Sequence, residues 1–111
     1  VLLRFQGWCL DLHNRTLTSP GGELVELTTG EFELLQAFLE HPQTILTRDQ
    51  LLDLARGRSS AVFDRSMDVQ VMRLRRKIEP DPQQPALIKT VRNSGYIFTA
   101  TVETATGEAN A

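Results

Sequence analysis

Two segments of this chain carry the same four-residue code for starting a helix, and together they limit what can follow. Thr28-Thr29-Gly30-Glu31 sets a hydroxyl three residues ahead of a carboxylate. In such a capping box each side chain satisfies a backbone N–H that the first turn leaves open. Thr47-Arg48-Asp49-Gln50 repeats the device with an amide, and Leu27 with Phe32, then Leu46 with Leu51, stand where hydrophobic staples would place them. The first helix is expected to run to about His41, because Pro42 disfavours helical backbone at the residue before it. Its apolar stripe is Phe32, Leu35, Phe38 and Leu39. The second is short and stops near Arg56-Gly57, where glycine suits a helix end.

A third helix resumes by Asp64. Met67, Val71, Leu74 and Ile78 recur at intervals of four, three and four, so at about 100° per residue they share one face. The same arithmetic gathers Arg65, Ser66, Val69, Gln70, Arg73, Arg76 and Lys77 on the opposite side, a basic stripe with one aliphatic residue in its middle. Between the second and third helices lies a loop, Gly57-Arg58-Ser59-Ser60-Ala61-Val62-Phe63, small and polar apart from its last two residues. Glu79-Pro80-Asp81-Pro82 ends the third helix, and Leu87 to Arg92 and Tyr96 to Val102 then alternate as the arms of a hairpin around Asn93-Ser94-Gly95. Ahead of the helices, residues 1–27 read as an antiparallel meander, with Val1 to Phe5 as its first strand, alternation at Trp8, Leu10 and Leu12, and a turn at Ser19-Pro20-Gly21-Gly22. The residues from Glu103 onward are small and polar, and a frayed, flexible tail is expected over 103–111.

A length of 111 residues corresponds to one domain, here 1–102, able to bury roughly 65% of the surface its unfolded chain exposes. The single Cys9 excludes a disulfide scaffold and fits a reducing cytoplasm; no Cys/His spacing suggests a metal, and no apolar run approaches the ~18 residues of a membrane span. The chain opens at Val1, as a piece of a longer polypeptide would. A net charge of −2 argues weakly against nucleic acid, but its distribution reverses that reading. Residues 1–64 hold five basic and nine acidic side chains, whereas residues 65–92 hold seven basic and three acidic. Such asymmetry points to an anionic partner.

Two capped helices, a third with a basic outer face and a basic hairpin describe an α+β winged helix-turn-helix. Such a helix fits the DNA major groove, where Arg73 can donate two bonds to guanine and Val69 can meet a thymine methyl. Arg65, Gln70, Arg76 and Lys77 flank them as phosphate contacts, and Arg92 at the hairpin tip suits a narrow minor groove. Arg65 and Arg75 have a second reading as ion pairs with Asp64, Asp68 or Glu79, which fits Arg75 better because it lies off the stripe. His13 and His41 lack a patterned partner, Trp8 and Tyr96 read as packing residues, and Cys9 reads as a small hydrophobe. No Gly-rich phosphate loop or nucleophile set is present, so neither catalysis, a cofactor nor a small-molecule substrate is expected. The rival reading is a winged helix that binds protein rather than DNA.

Leu27-Thr28, Glu31-Phe32, Leu34-Leu35, His41-Pro42, Leu46-Thr47-Arg48, Arg65-Ser66-Met67-Asp68-Val69, Leu74-Arg75, Thr90-Val91-Arg92 and Gly95-Tyr96 together resemble the C-terminal effector domain of OmpR/PhoB-type response regulators. Leu54-Ala55-Arg56-Gly57-Arg58 looks like the OmpR branch. The resemblance implies a four-stranded N-terminal sheet, three helices and a hairpin wing. It also implies control of transcription by two head-to-tail copies on direct repeats in double-stranded DNA. Val69 and Arg73 would read bases, Arg65, Gln70 and Arg75 would contact phosphates, and Thr90 and Arg92 would act from the wing. The loop of residues 57–63 would meet RNA polymerase, and a receiver domain phosphorylated by a sensor kinase would precede this chain. Asn93 stands where the family often has Gly, Met72 where some members are basic, and the second helix lacks a tryptophan common near its end.

Overall fold

Both capping boxes form in the computed structural model, which describes residues 1–56 and 67–105. Thr28 Oγ1 accepts from the Glu31 N–H at 3.1 Å while Glu31 Oε1 accepts from the Thr28 N–H at 2.9 Å, and helix α1 runs Thr29–Glu40. Thr47 and Gln50 exchange the equivalent bonds at 3.0 and 2.9 Å to open α2, Arg48–Arg56. The described part of the third helix, α3, is Met67–Ile78. Because α1 packs against both other helices and the sheets, it buries Leu34 and Ala37 besides the four expected stripe residues. Met67, Val71, Leu74 and Ile78 are all buried, as their spacing requires.

The N-terminal strands are β1 (Leu2–Phe5), β2 (Trp8–Asp11), β3 (Thr16–Thr18) and β4 (Leu24–Val25), each antiparallel to the next. After α1 and a two-residue strand β5 (Ile45–Leu46) come the hairpin strands β6 (Ile88–Val91) and β7 (Gly95–Phe98), then β8 (Glu103–Ala105). β8 corrects the expected tail. It pairs Leu2 with Ala105, Leu3 with Thr104 and Arg4 with Glu103, giving a five-stranded sheet in the order β4-β3-β2-β1-β8. Without it β1 would be an edge with open N–H and C=O groups, and ladder bonds need only backbone, so small polar residues serve. Residues 106–111 lie outside the described residues.

The hairpin is also more than two strands. β5, just ahead of the second capping box, pairs with β7, so the wing sheet has the order β5-β7-β6 and is tied to the start of α2. Asn93 takes a left-handed φ of 64° at the hairpin turn, which an asparagine tolerates. Phe98 joins the layers: its ring meets Phe5 edge-on at 5.1 Å and Phe38 at 6.3 Å, while Phe5 stacks on Trp8 at 6.2 Å.

Gly95 has little room for any side chain. Its φ is 138°, and a Cβ there would stand 2.0 Å from the Leu46 carbonyl oxygen, which cannot retreat without parting β5 from β7. Gly95→Ala is expected to cost more than about 2 kcal/mol, combining backbone strain with the clash. Chemical denaturation would measure it, and a loss below half that figure would mean that β5 yields easily.

Candidate nucleic-acid interface

Burial of one stripe of α3 leaves the opposite side to solvent. Arg76 is exposed, Met72 is 42% exposed, and Val69 and Arg73 are half-buried. Arg73 has no hydrogen bond or ion pair to another described residue. Among the described residues Arg76 Nη2 reaches only the Met72 sulfur, at 4.0 Å. These four side chains form the accessible face, with Met72 in a place the sequence reading had not included.

Two expected phosphate contacts are not on that face. Gln70 is only 7% exposed and lies with the buried side chains of the helix. Lys77 Nζ donates to Glu31 Oε1 at 2.6 Å and to the Glu26 carbonyl at 2.7 Å, tying the end of α3 to the capping box of α1. Both residues sit on the flank of the wheel, about 100° and 80° from Val69, between the buried stripe and the accessible face. A helical wheel gives angle but not the width of the packed face. Arg65 and the loop of residues 57–63 lie outside the described residues.

Among the described residues Arg75 forms no intrahelical ion pair, and its guanidinium is not left open. Its Nε and Nη2 donate to the Ile88 carbonyl at 3.0 and 2.7 Å, and Nη2 also donates to Thr90 Oγ1 at 3.0 Å. The helix is thereby fastened to strand β6 beside it. Of its expected acidic partners, Asp68 and Glu79 are engaged elsewhere, and Asp64 lies outside the described residues. Glu79, 7% exposed, accepts the N–H groups of Ala86, Leu87 and Ile88 at 2.8–3.0 Å and so turns the chain from α3 into the hairpin. Thr90 is exposed although its hydroxyl serves Arg75; Lys89 and Arg92 are exposed on the same hairpin.

Asp68 belongs to a cluster that sequence reasoning missed. Its Oδ1 accepts from Arg48 Nε at 2.7 Å and from the Tyr96 hydroxyl, joining the first turns of α3 and α2 to strand β7. The guanidinium carbons of Arg48 and Arg75 lie 5.4 and 5.6 Å from the centre of the Tyr96 ring, within cation–π range. The hydrogen bond from Arg48, then that from Tyr96, hold the Asp68 carboxyl below the ordinary carboxylate range. Burial first, then Asp68, raises the Tyr96 phenol. Separations of 20 and 28 residues between these partners leave no local signal.

The family described as transcriptional regulatory protein, C terminal, matches residues 22–98. The chain belongs to it. This OmpR/PhoB-type domain is 52% identical over 103 residues to the regulatory protein VirG of Agrobacterium tumefaciens, covering 93% of this chain and 39% of VirG. It therefore spans about two fifths of the length of that relative. Among solved structures, the DNA-binding domain of RstA from Klebsiella pneumoniae, in complex with the RstA box, is 38% identical with a TM-score of 0.75, covering 88% of this chain and 96% of that one. The Thermotoga maritima OmpR/PhoB homologue DrrB is 29% identical with a TM-score of 0.71, over 88% of this chain and 44% of DrrB. The three helices and hairpin are the winged helix of this family. Among the described residues no group of three His, Cys, Asp or Glu could hold a metal ion, and no helix is long and apolar enough to cross a membrane.

The lowered Asp68 value makes a signed prediction. A carboxyl held below its unfolded value of about 3.9 contributes stability that is present in full above that pH and is lost as pH falls through the lower folded value. The melting-temperature gap between the native domain and Asp68→Asn should be constant near neutrality and close in acid. A gap unchanged down to about pH 2 would contradict the Asp68 assignment.

Proposed function

We propose that this domain reads double-stranded DNA to control transcription, as the cytoplasmic output part of a two-component response regulator. One observation carries the reading. Among the described basic residues of α3, Arg75 and Lys77 are engaged with carbonyl, hydroxyl or carboxylate oxygens, whereas Arg73 and Arg76, beside Val69, donate to no oxygen of another described residue. Unmatched guanidinium groups around an aliphatic residue suit base edges and phosphates rather than bulk solvent. The solved RstA domain in complex with its box supports it.

In this reading α3 lies in the major groove. Arg73 donates to guanine O6 and N7, Val69 meets a thymine methyl, and Arg76 holds a phosphate together with Arg65. Arg92 enters the adjacent minor groove, and Thr90, placed by Arg75, stands at the backbone between the grooves. Arg75 thus shapes the wing rather than binding a phosphate. Two copies occupy direct repeats head to tail, each binding weakly alone; phosphorylation of a receiver domain pairs them and raises their effective concentration on adjacent half-sites. The loop of residues 57–63 is the part proposed to meet RNA polymerase. The proposed domain performs no catalysis and takes neither a cofactor nor a small-molecule substrate.

Selection from a random duplex pool at fixed moderate salt tests this. The native domain should enrich a repeated half-site, and Arg73→Ala should blur one position of it at a cost of about 1–3 kcal/mol. Enrichment of nothing by the native domain would move the protein-binding reading ahead.

Charge roles separate in a salt titration of the enriched duplex. Arg76→Ala should reduce the slope of log affinity against log salt by about 1. Lys77→Ala should leave that slope unchanged while lowering the melting temperature, because its ammonium holds α3 to α1. The reverse pattern would return Lys77 to the interface.

A further inference from the structure

Reading two grooves at once demands a fixed angle between the recognition helix and the wing, and one contact in this structure is placed to set it. Arg75 fastens the last part of α3 to β6, through the Ile88 carbonyl and Thr90. Burial of Met67 and Val71 sets the roll of α3, but a single polar clamp at one end would leave the angle between its first turn and the wing to packing alone. The other end is held by the Tyr96 hydroxyl, which donates to Asp68 Oδ1 while Arg48 donates to the same oxygen from α2. Tyr96 is 4% exposed, so its ring is fixed by the core, and Asp68 immediately precedes Val69, the first residue of the accessible face. Asp68 itself is about half exposed, with a side-chain exposure of 54%, so the tether sits at the surface rather than within the packing that stabilises the fold.

We infer that the Tyr96 hydroxyl is a positioning residue's working group: through Asp68 it locks the first turn of α3 to the wing, so that major and minor grooves are met as one unit. The inference rests on the DNA-reading function proposed above. Tyr96→Phe removes one oxygen and keeps the ring, including its packing and both nearby guanidinium groups. Without the tether, α3 retains its side chains but no longer presents them at the angle the wing requires. The loss should therefore appear in docking, and first in the minor groove.

The experiment compares the native domain, Tyr96→Phe, Asp68→Ala and Asp68→Asn on the enriched duplex, scoring affinity, guanine-N7 methylation interference and hydroxyl-radical protection of the minor groove. Tyr96→Phe is expected to bind roughly tenfold more weakly, a loss within the reach of one good hydrogen bond. It should keep the N7 interference pattern while losing minor-groove protection, with its melting temperature within about 2 °C of the native value, less than 1 kcal/mol of lost stability would move it. Asp68→Ala should match it in footprint, whereas Asp68→Asn, which keeps an oxygen for the hydroxyl, should regain most of the minor-groove protection. Unchanged affinity and protection in Tyr96→Phe would overturn the inference. So would equal loss of both footprints together with a fall in melting temperature, because that is what a merely structural residue would give. If the native domain protects no duplex at all, the DNA-reading function itself fails and the inference falls with it, a result distinct from either of the others.

Discussion

A helix can bury only one stripe, and burying Met67, Val71, Leu74 and Ile78 against α1 decides which side chains α3 has left to offer. Everything proposed for this domain depends on that roll. Full burial of each aliphatic side chain contributes about 1.5–3 kcal/mol, so rotating the helix by even one residue's worth of angle would exchange several such contributions for exposed surface. The accessible set, Val69, Met72, Arg73 and Arg76, is what that burial leaves on the opposite side. Packing here does the work of specificity before any ligand arrives.

The wing is set by polar contacts of a different kind. Glu79 gathers three successive N–H groups where the chain leaves α3, Arg75 reaches across to β6, and Gly95 lets β7 approach the Leu46 carbonyl. Each involves a carboxylate, a guanidinium or a missing Cβ at one position, with little area buried. Basic residues near α3 accordingly divide into two groups. Arg75, Lys77 and Arg48 have oxygens to donate to, so their charge is already matched within the fold; Arg73, Arg76 and Arg92 donate to no oxygen of the described residues. A count of positive residues between 65 and 92 overstates the charge available for binding, because part of it holds the structure together.

Local signals were legible and distant ones were not. Both capping boxes, the four-three-four spacing of α3 and the left-handed Asn93 are decided within a few residues of one another, and the structure has all of them. Strands β5 and β8 escaped notice because two or three residues carry no periodicity, and their pairing uses backbone groups that every residue has. Gln70 and Lys77 lie within the outer stripe by angle, yet Gln70 is buried and Lys77 is tied to Glu31 of α1. The Arg48–Asp68–Tyr96 cluster draws on three elements, and nothing in the spacing of those residues marks it. Family resemblance supplied the wing and the order of elements, but it placed Arg75 on a phosphate, where the geometry uses it to hold Ile88 and Thr90.

Backbone amide shifts followed by NMR during titration with a selected duplex report directly which surface of the domain meets the DNA. The largest changes should fall on residues 68–76 of α3 and on residues 89–94 of the hairpin, with the sheet formed by β1 to β4 nearly silent. Changes centred on that sheet, or spread evenly over the chain with no focus on α3, would contradict DNA binding through α3 and the hairpin.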